Sequence, residues 1–101
     1  IDHLVIYEKY KTVFVIETKR WSGKIIGKRS DDKWKQVLRG EEHWYRNPIK
    51  QNEYHISKLK NKYVGYKMIN VVVFVNNDNI PKLKNVISQD ELYNFIMKYN
   101  K

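Results

Sequence analysis

Two stretches of this chain are apolar at nearly every position. One is Val13-Phe14-Val15-Ile16 with Thr12 before it, and the other is Met68-Ile69-Asn70-Val71-Val72-Val73-Phe74-Val75. A strand with one wet face alternates polar and apolar residues, whereas an unbroken apolar run is the mark of a strand covered on both faces. Two such strands in 101 residues leave room for a single domain over residues 1–101, with a core that only just fills. Large rings must carry much of that core: eight Tyr, three Phe and three Trp.

The segments between the runs supply the rest. Residues 4–7 read as a short strand, and Glu8-Lys9-Tyr10-Lys11 has the length of a hairpin connection into a strand over residues 12–19. Gly23 and Gly27 bracket a third strand, Lys24-Ile25-Ile26. Asp31-Asp32 marks a turn, residues 33–38 are weakly strand-like, Gly40-Glu41-Glu42 reads as a turn, and residues 43–46 are extended. An antiparallel meander is the economical topology for this half. Pro48 suits the first position of a helix capped by Asn47. Ile49, Ile56, Leu59 and Tyr63 then share one arc, with Gln51 and His55 on its shoulder and Gly65 expected at the end. Near the C-terminus Ser88 and Glu91 form a capping box, Ile87 and Leu92 a hydrophobic staple, and Leu92, Phe95, Ile96 and Tyr99 a helical stripe. The expected fold is α/β (α+β): a mixed central sheet, meander first, then α-β-α, with at least one helix packed on the sheet.

The strand over residues 12–19 ends on Glu17 and Lys19. Alternation points both to one face and Thr18 to the other. If residues 8–11 close a hairpin, Asp2 stands at the same open end. Two carboxylates and an amine at one sheet edge suit metal-assisted phosphodiester hydrolysis. Carboxylate oxygens hold Mg²⁺ with several waters, the ion polarises a phosphoryl oxygen, and a lysine orients the attacking water or offsets charge. The plain alternative is a solvent-facing strand ion pair worth a few tenths of a kcal/mol.

Ile1-Asp2-His3-Leu4, Val15-Ile16-Glu17-Thr18-Lys19-Arg20-Trp21-Ser22-Gly23-Lys24-Ile25 and Asn47-Pro48-Ile49-Lys50-Gln51-Asn52 with His55-Ile56 resemble the nuclease-related domain, NERD, of the PD-(D/E)xK nuclease superfamily. The resemblance covers most of the chain and implies a restriction-endonuclease-like core. It implies Asp2 and Glu17 as metal-binding acids, with the backbone carbonyl of Thr18 as a further ligand. Lys19 becomes the lysine at the attacking water and scissile phosphate, and Gln51 a supporting residue near the metal. Asn47 and His55 match family positions; the residues themselves suggest an N-cap for the first and a packing or hydrogen-bonding role for the second. Family members carry a helix and a strand ahead of the Ile-Asp motif, with an acid near the site. The expectation here is a fragment or shortened version, whose incomplete sheet edge invites homodimerisation.

Charge points the same way. Twenty Lys and Arg against eleven Asp and Glu leave +9, which suits a polyanion partner and equally a solvated, Lys-rich surface. Arg20, Lys24, Lys28 and Arg29 follow the site and are candidates to hold a nucleic-acid backbone. Trp21, Trp34, Trp44 and Tyr45 lie among cations and could stack bases, although at least two of the three Trp are expected in the core. Gly23 and Gly27 read as turn residues, with no helix after them to make a phosphate cradle. The chain has no cysteine, which excludes disulfides and thiolate metal sites and fits a reducing, cytoplasmic setting. No apolar run reaches membrane-span length. The expectation is a Mg²⁺-dependent nuclease domain, with Mn²⁺ as a substitute, acting on DNA and with RNA as the other polymer to test. The rival readings are a nucleic-acid-binding module that keeps the fold without turnover, and an interaction domain with a vestigial acidic cluster.

Overall fold

The computed structural model describes residues 3–99. The fold is a mixed α+β arrangement with two sheets and two helices. β1 (His3–Tyr7) and β2 (Thr12–Lys19) form an antiparallel hairpin. Its connection is a short 3₁₀ turn over Glu8–Tyr10, closed by Lys11 in the left-handed region at φ 48°. β2 then pairs in parallel with β6 (Lys67–Phe74), and β6 in parallel with β7 (Val86–Ser88). The strand order of this sheet is β1-β2-β6-β7. β3 (Lys24–Ile26), β4 (Lys33–Leu38) and β5 (Glu41–Arg46) make a separate antiparallel sheet.

The two apolar runs sit side by side in the first sheet, and both of their faces are covered. Phe14 and Ile16 of β2 and Ile69, Val71 and Val73 of β6 face α2 (Leu92–Tyr99), which contributes Leu92, Phe95, Ile96 and Tyr99. On the opposite face Val72 and Phe74 meet Ile49 of α1 (Pro48–Leu59), together with Ile25 and Trp34 from the second sheet. Trp34 lies flat on Phe74, their ring centroids 6.4 Å apart. The second sheet is therefore a packing layer of its own, and the expected single meander is divided. The chain leaves β2 through Arg20-Trp21-Ser22-Gly23, where Gly23 takes φ +79° and a Cβ would stand 2.4 Å from the Val37 carbonyl oxygen. Ladder space beside β2 goes to β6 instead, because that apolar strand needs a central position.

Three local expectations are corrected. Glu41 and Glu42 belong to β5, because Arg39 (φ 53°) and Gly40 (φ 79°) already supply the two left-handed residues of a tight hairpin turn. Lys35 Nζ then meets Glu42 Oε2 at 3.2 Å across the strands. α1 ends at Leu59 rather than Gly65: Lys62 and Tyr63 both donate to the Leu59 carbonyl, and residues 60–65 continue as turns. Gly65 adopts φ +85° within those turns, after the helix has stopped. The segment expected to supply only a staple and cap also forms a strand, β7; the capping box of Ser88 and Glu91 is present, ahead of a 3₁₀ turn that leads into α2.

Gly27 has a packing reason beyond turn formation. A Cβ there would lie 2.2 Å from Cδ1 of Trp34, a ring with 0% exposure and no room to retreat. Gly27→Ala is expected to destabilise the fold by about 2 kcal/mol through overpacking, read as a lower urea midpoint at unchanged slope.

Candidate active site

The carboxyl ends of β2 and β6 form the working end of the sheet, the usual place for ligand sites in sheets with parallel strands. Phe14 and Ile16 point to α2, so alternation sends Glu17 and Lys19 to the α1 face. Glu17 is 7% exposed and Lys19 is half-buried. Lys19 Nζ stands 3.4 Å from Glu17 Oε2, and His55 Nε2 of α1 stands 3.7 Å from Glu17 Oε1. One strand and one helix thus bring three ionisable groups together. The Glu17–Lys19 pair is no surface ion pair: a carboxylate held this far from water is tied to the Lys19 ammonium, and removing either partner strands the other.

Gln51 lies one turn before His55, on the same side of α1. Its Oε1 is buried with no hydrogen-bond partner among the described residues. A buried amide oxygen normally has a donor or a cation opposite it. Thr18 turns its side chain to the α2 face. Val75 N donates to the Lys19 carbonyl at 2.9 Å, so the backbone groups of Thr18 point to the β1 side of the strand. β1 arrives at this same end, with His3 opposite Ile16. Asp2 lies outside the described residues. Among those residues no group of three His, Asp or Glu is placed to hold a metal. The donors that are present, the Glu17 carboxylate and the orphaned Gln51 oxygen, are hard oxygen atoms and fit a hydrated divalent cation such as Mg²⁺.

Asn47 is 1% exposed and caps α1, its side-chain oxygen accepting from Ile49 N at 2.8 Å. Its amide donates to the carbonyls of Arg29 (2.9 Å) and Asp31 (2.8 Å), with Lys28 O at 3.4 Å. The residue staples the loop after β3 to the helix start. Lys50 reinforces that joint, donating to Ser30 O and Asp32 Oδ1, both at 2.9 Å. The Lys50 ammonium holds the Asp32 carboxyl below its ordinary range, mainly through the hydrogen bond.

The four cations proposed to follow a backbone do not form one cluster. Arg20 shares an open concavity with His3, Thr18, Lys19 and Trp21. Arg29 is fastened to the Lys84 carbonyl at 2.6 Å. Lys28 is exposed, and its carbonyl accepts from Trp34 Nε1 at 3.0 Å. Lys24 lies on the outer face of the second sheet. The three Trp divide: Trp34 is in the core, Trp21 packs against it, and Trp44 faces outward at 58% exposure.

Two features of the site were not read from the sequence. Lys19 Nζ lies 5.4 Å from the Trp21 ring centroid, and Trp21, in the connection after β2, stacks on Tyr45 of β5 at 4.6 Å, so the ring beside the amine is backed by the second sheet. Asn52 is fully buried, donating to Val15 O and Asn70 Oδ1 at 2.8 Å, while Asn70 donates to Ile49 O at 3.0 Å. This bridge sets α1 against β2 and β6, and so sets Gln51 and His55 against Glu17. The polar Asn70 inside an apolar strand was its only sequence signal.

A carboxylate and an amine presented by a central strand, with a glutamine and a histidine on the helix that faces them, are in keeping with a nuclease-related protein of the PD-(D/E)xK kind. The sequence profile of the nuclease-related domain, NERD, matches residues 1–75, and the chain belongs to that family. An uncharacterized protein of Bacillus anthracis is 38% identical over 60 residues, covering 59% of this chain and 27% of that protein. The match therefore spans little more than a quarter of that relative's length. No solved structure matches the chain. Among the described residues no helix is long and apolar enough to cross a membrane.

Proposed function

We propose that this chain is a metal-dependent nuclease domain that hydrolyses phosphodiester bonds in DNA. The observation that carries the reading is the half-buried Glu17–Lys19 pair at the carboxyl end of β2, 3.4 Å apart and faced by α1. Asp2, Glu17 and the Thr18 carbonyl would hold Mg²⁺, with Gln51 in support. The ion supplies a polarised phosphoryl oxygen and a bound water of lowered pKa. Glu17 offers its carboxylate from a rigid strand, so no reorganisation is needed when substrate arrives. Lys19, steadied over Trp21, orients the attacking water or offsets charge on the phosphate. His55 faces the far oxygen of Glu17 at 3.7 Å from α1, within reach of a donor contact when the site closes on substrate. Arg20, Lys24, Lys28 and Arg29 are proposed backbone contacts.

A second reading has its own support. The Lys19 ammonium already stands 3.4 Å from the Glu17 carboxylate, so that charge has a partner without a metal ion. A binding module that keeps the fold but does not turn over would look the same.

The test incubates the chain with supercoiled, duplex and single-stranded DNA in Mg²⁺, Mn²⁺ or EDTA. Cleavage in either metal that stops in EDTA is the expected result. Cutting that ignores the chelator would overturn the metal reading. Salt-sensitive binding with no cutting in any metal would establish the binding module.

A further inference from the structure

Among the described residues the outer face of the second sheet has no packing partner, and its chemistry is specific. Cross-strand pairing sets Ile26, Lys35 and Trp44 in one row, Lys24, Val37 and Glu42 in the next, and Lys33 with Arg46 beyond. Side chains of such a row lie on the same face. The inner face is settled by Ile25, Trp34 and Gln36, all buried, so these rows face outward. The outer face thus presents four cations against the single carboxylate of Glu42. Lys24, Lys33 and Arg46 have no ion pair among the described residues, and Lys35 divides itself between Glu42 and the Trp44 ring, 5.8 Å from its centroid. Trp44 is the most exposed Trp at 58%, and Ile26, on the far side of Lys35 in the same row, is 40% exposed.

A face that is only a solvated set of lysines would not hold an indole in water along its edge strand. A membrane surface would ask for a broader apolar area, and a protein partner for fewer unpaired cations. Phosphates and an unstacked base satisfy both halves of this face: cations track the backbone, and a flat ring accepts a base of any sequence. We infer that the outer face of the β3-β4-β5 sheet is a docking platform for single-stranded nucleic acid, with Trp44 as the base-stacking residue and Lys24, Lys33, Lys35 and Arg46 as phosphate contacts. This rests on the nuclease reading for its partner class and adds the strand form that is bound. β5 is an edge strand, and Tyr45 on its other face stacks on Trp21 beneath Lys19. A polynucleotide crossing the platform has one strand between it and the candidate site.

The test measures binding apart from cleavage, by anisotropy of a short labelled oligothymidylate in EDTA. Trp44→Ala is expected to weaken binding about tenfold, while Trp44→Phe keeps most of it, since any aromatic face can stack. Affinity of Trp44→Ala for duplex DNA of equal length should stay at the wild-type value. Lys33→Glu with Arg46→Glu leaves Trp44 in place and should lower the slope of log affinity against log salt by about 1.4, at about 0.7 per single-strand phosphate contact. All these side chains are exposed, so far-UV circular dichroism and the melting temperature should not move. Wild-type affinity in both variants, or equal losses by Trp44→Ala on single strand and duplex, would overturn the platform. Repeating the titration with oligouridylate assigns the strand, and tighter binding of either polymer supports the surface. Losses here with no cutting by wild type in any metal would remove the nuclease reading and leave the platform. Cutting with unaltered binding would do the reverse.

Discussion

Glu17→Gln should abolish metal-dependent DNA cleavage, with a loss on the order of 10³-fold in kcat at saturating Mg²⁺. The amide keeps the size of the carboxylate and can still face Lys19 and His55, so the fold survives; what disappears is the negative charge a divalent ion requires. Lys19→Ala should lose rate on a similar scale. Lys19→Arg should not restore it, because a planar guanidinium spreads its charge over a fork and cannot replace a compact ammonium at one position. A loss of 10³ corresponds to about 4 kcal/mol of transition-state stabilisation, too large for a surface pair worth at most about 1 kcal/mol. DNA affinity in EDTA discriminates further. Removing one of the few acids at this basic end should leave binding unchanged or tighter in Glu17→Gln. If binding falls together with cleavage, Glu17 serves the architecture of the surface and the catalytic assignment fails.

Asn47→Ala should lower the unfolding free energy by about 3 kcal/mol, combining a lost N-cap of about 1 kcal/mol with buried carbonyls left without a donor. The cause is on both sides of one amide: its oxygen caps α1 through Ile49 N, and its nitrogen secures Arg29 O and Asp31 O. Asn47→Ser should recover only the cap. Asn47→Asp should do no better, since it sets a carboxylate against two carbonyl oxygens. Urea unfolding gives the stability change from the midpoint at constant slope. Activity per folded molecule should remain close to wild type, because the hydrogen-bond partners of Asn47 are the helix start and the loop after β3. A stable Asn47→Ala protein that binds DNA but does not cut would place the residue in the chemistry instead.

The contrast between Asn47 and Glu17 also separates what was legible early from what was not. Asn47 announced its role locally: Pro48 follows it, an amphipathic helix follows that, and the cap geometry is what those neighbours require. Glu17 and Lys19 announced only that they share a face. Whether that face met water or a helix depended on α1, which starts 31 residues after Glu17 in the chain. The same limit explains the tryptophans. Trp34 and Trp44 both have basic neighbours, Lys33 and Lys35 for the first and Arg46 for the second, and one is in the core while the other is open to solvent. Alternation assigns them to opposite faces of one sheet, and only the packing of that sheet on Phe74 decides which face is inside.

By itself the sequence determined the elements and their chemistry. It set β2 over Thr12–Lys19 and the start of α1 at Pro48. It provided the capping box of Ser88 and Glu91 and the projection of Glu17 and Lys19 to one side. Its motifs carried the nuclease-related family. These follow from near neighbours: apolar period, caps and turn residues act within a few positions. Tertiary structure alone decided that the strands form two sheets, that β2 lies parallel to β6 with Thr12 beside Lys67, that β7 adds an edge, and that His55 reaches Glu17. Those choices are made between segments tens of residues apart. They are settled by which pairing covers both faces of the two apolar strands at once.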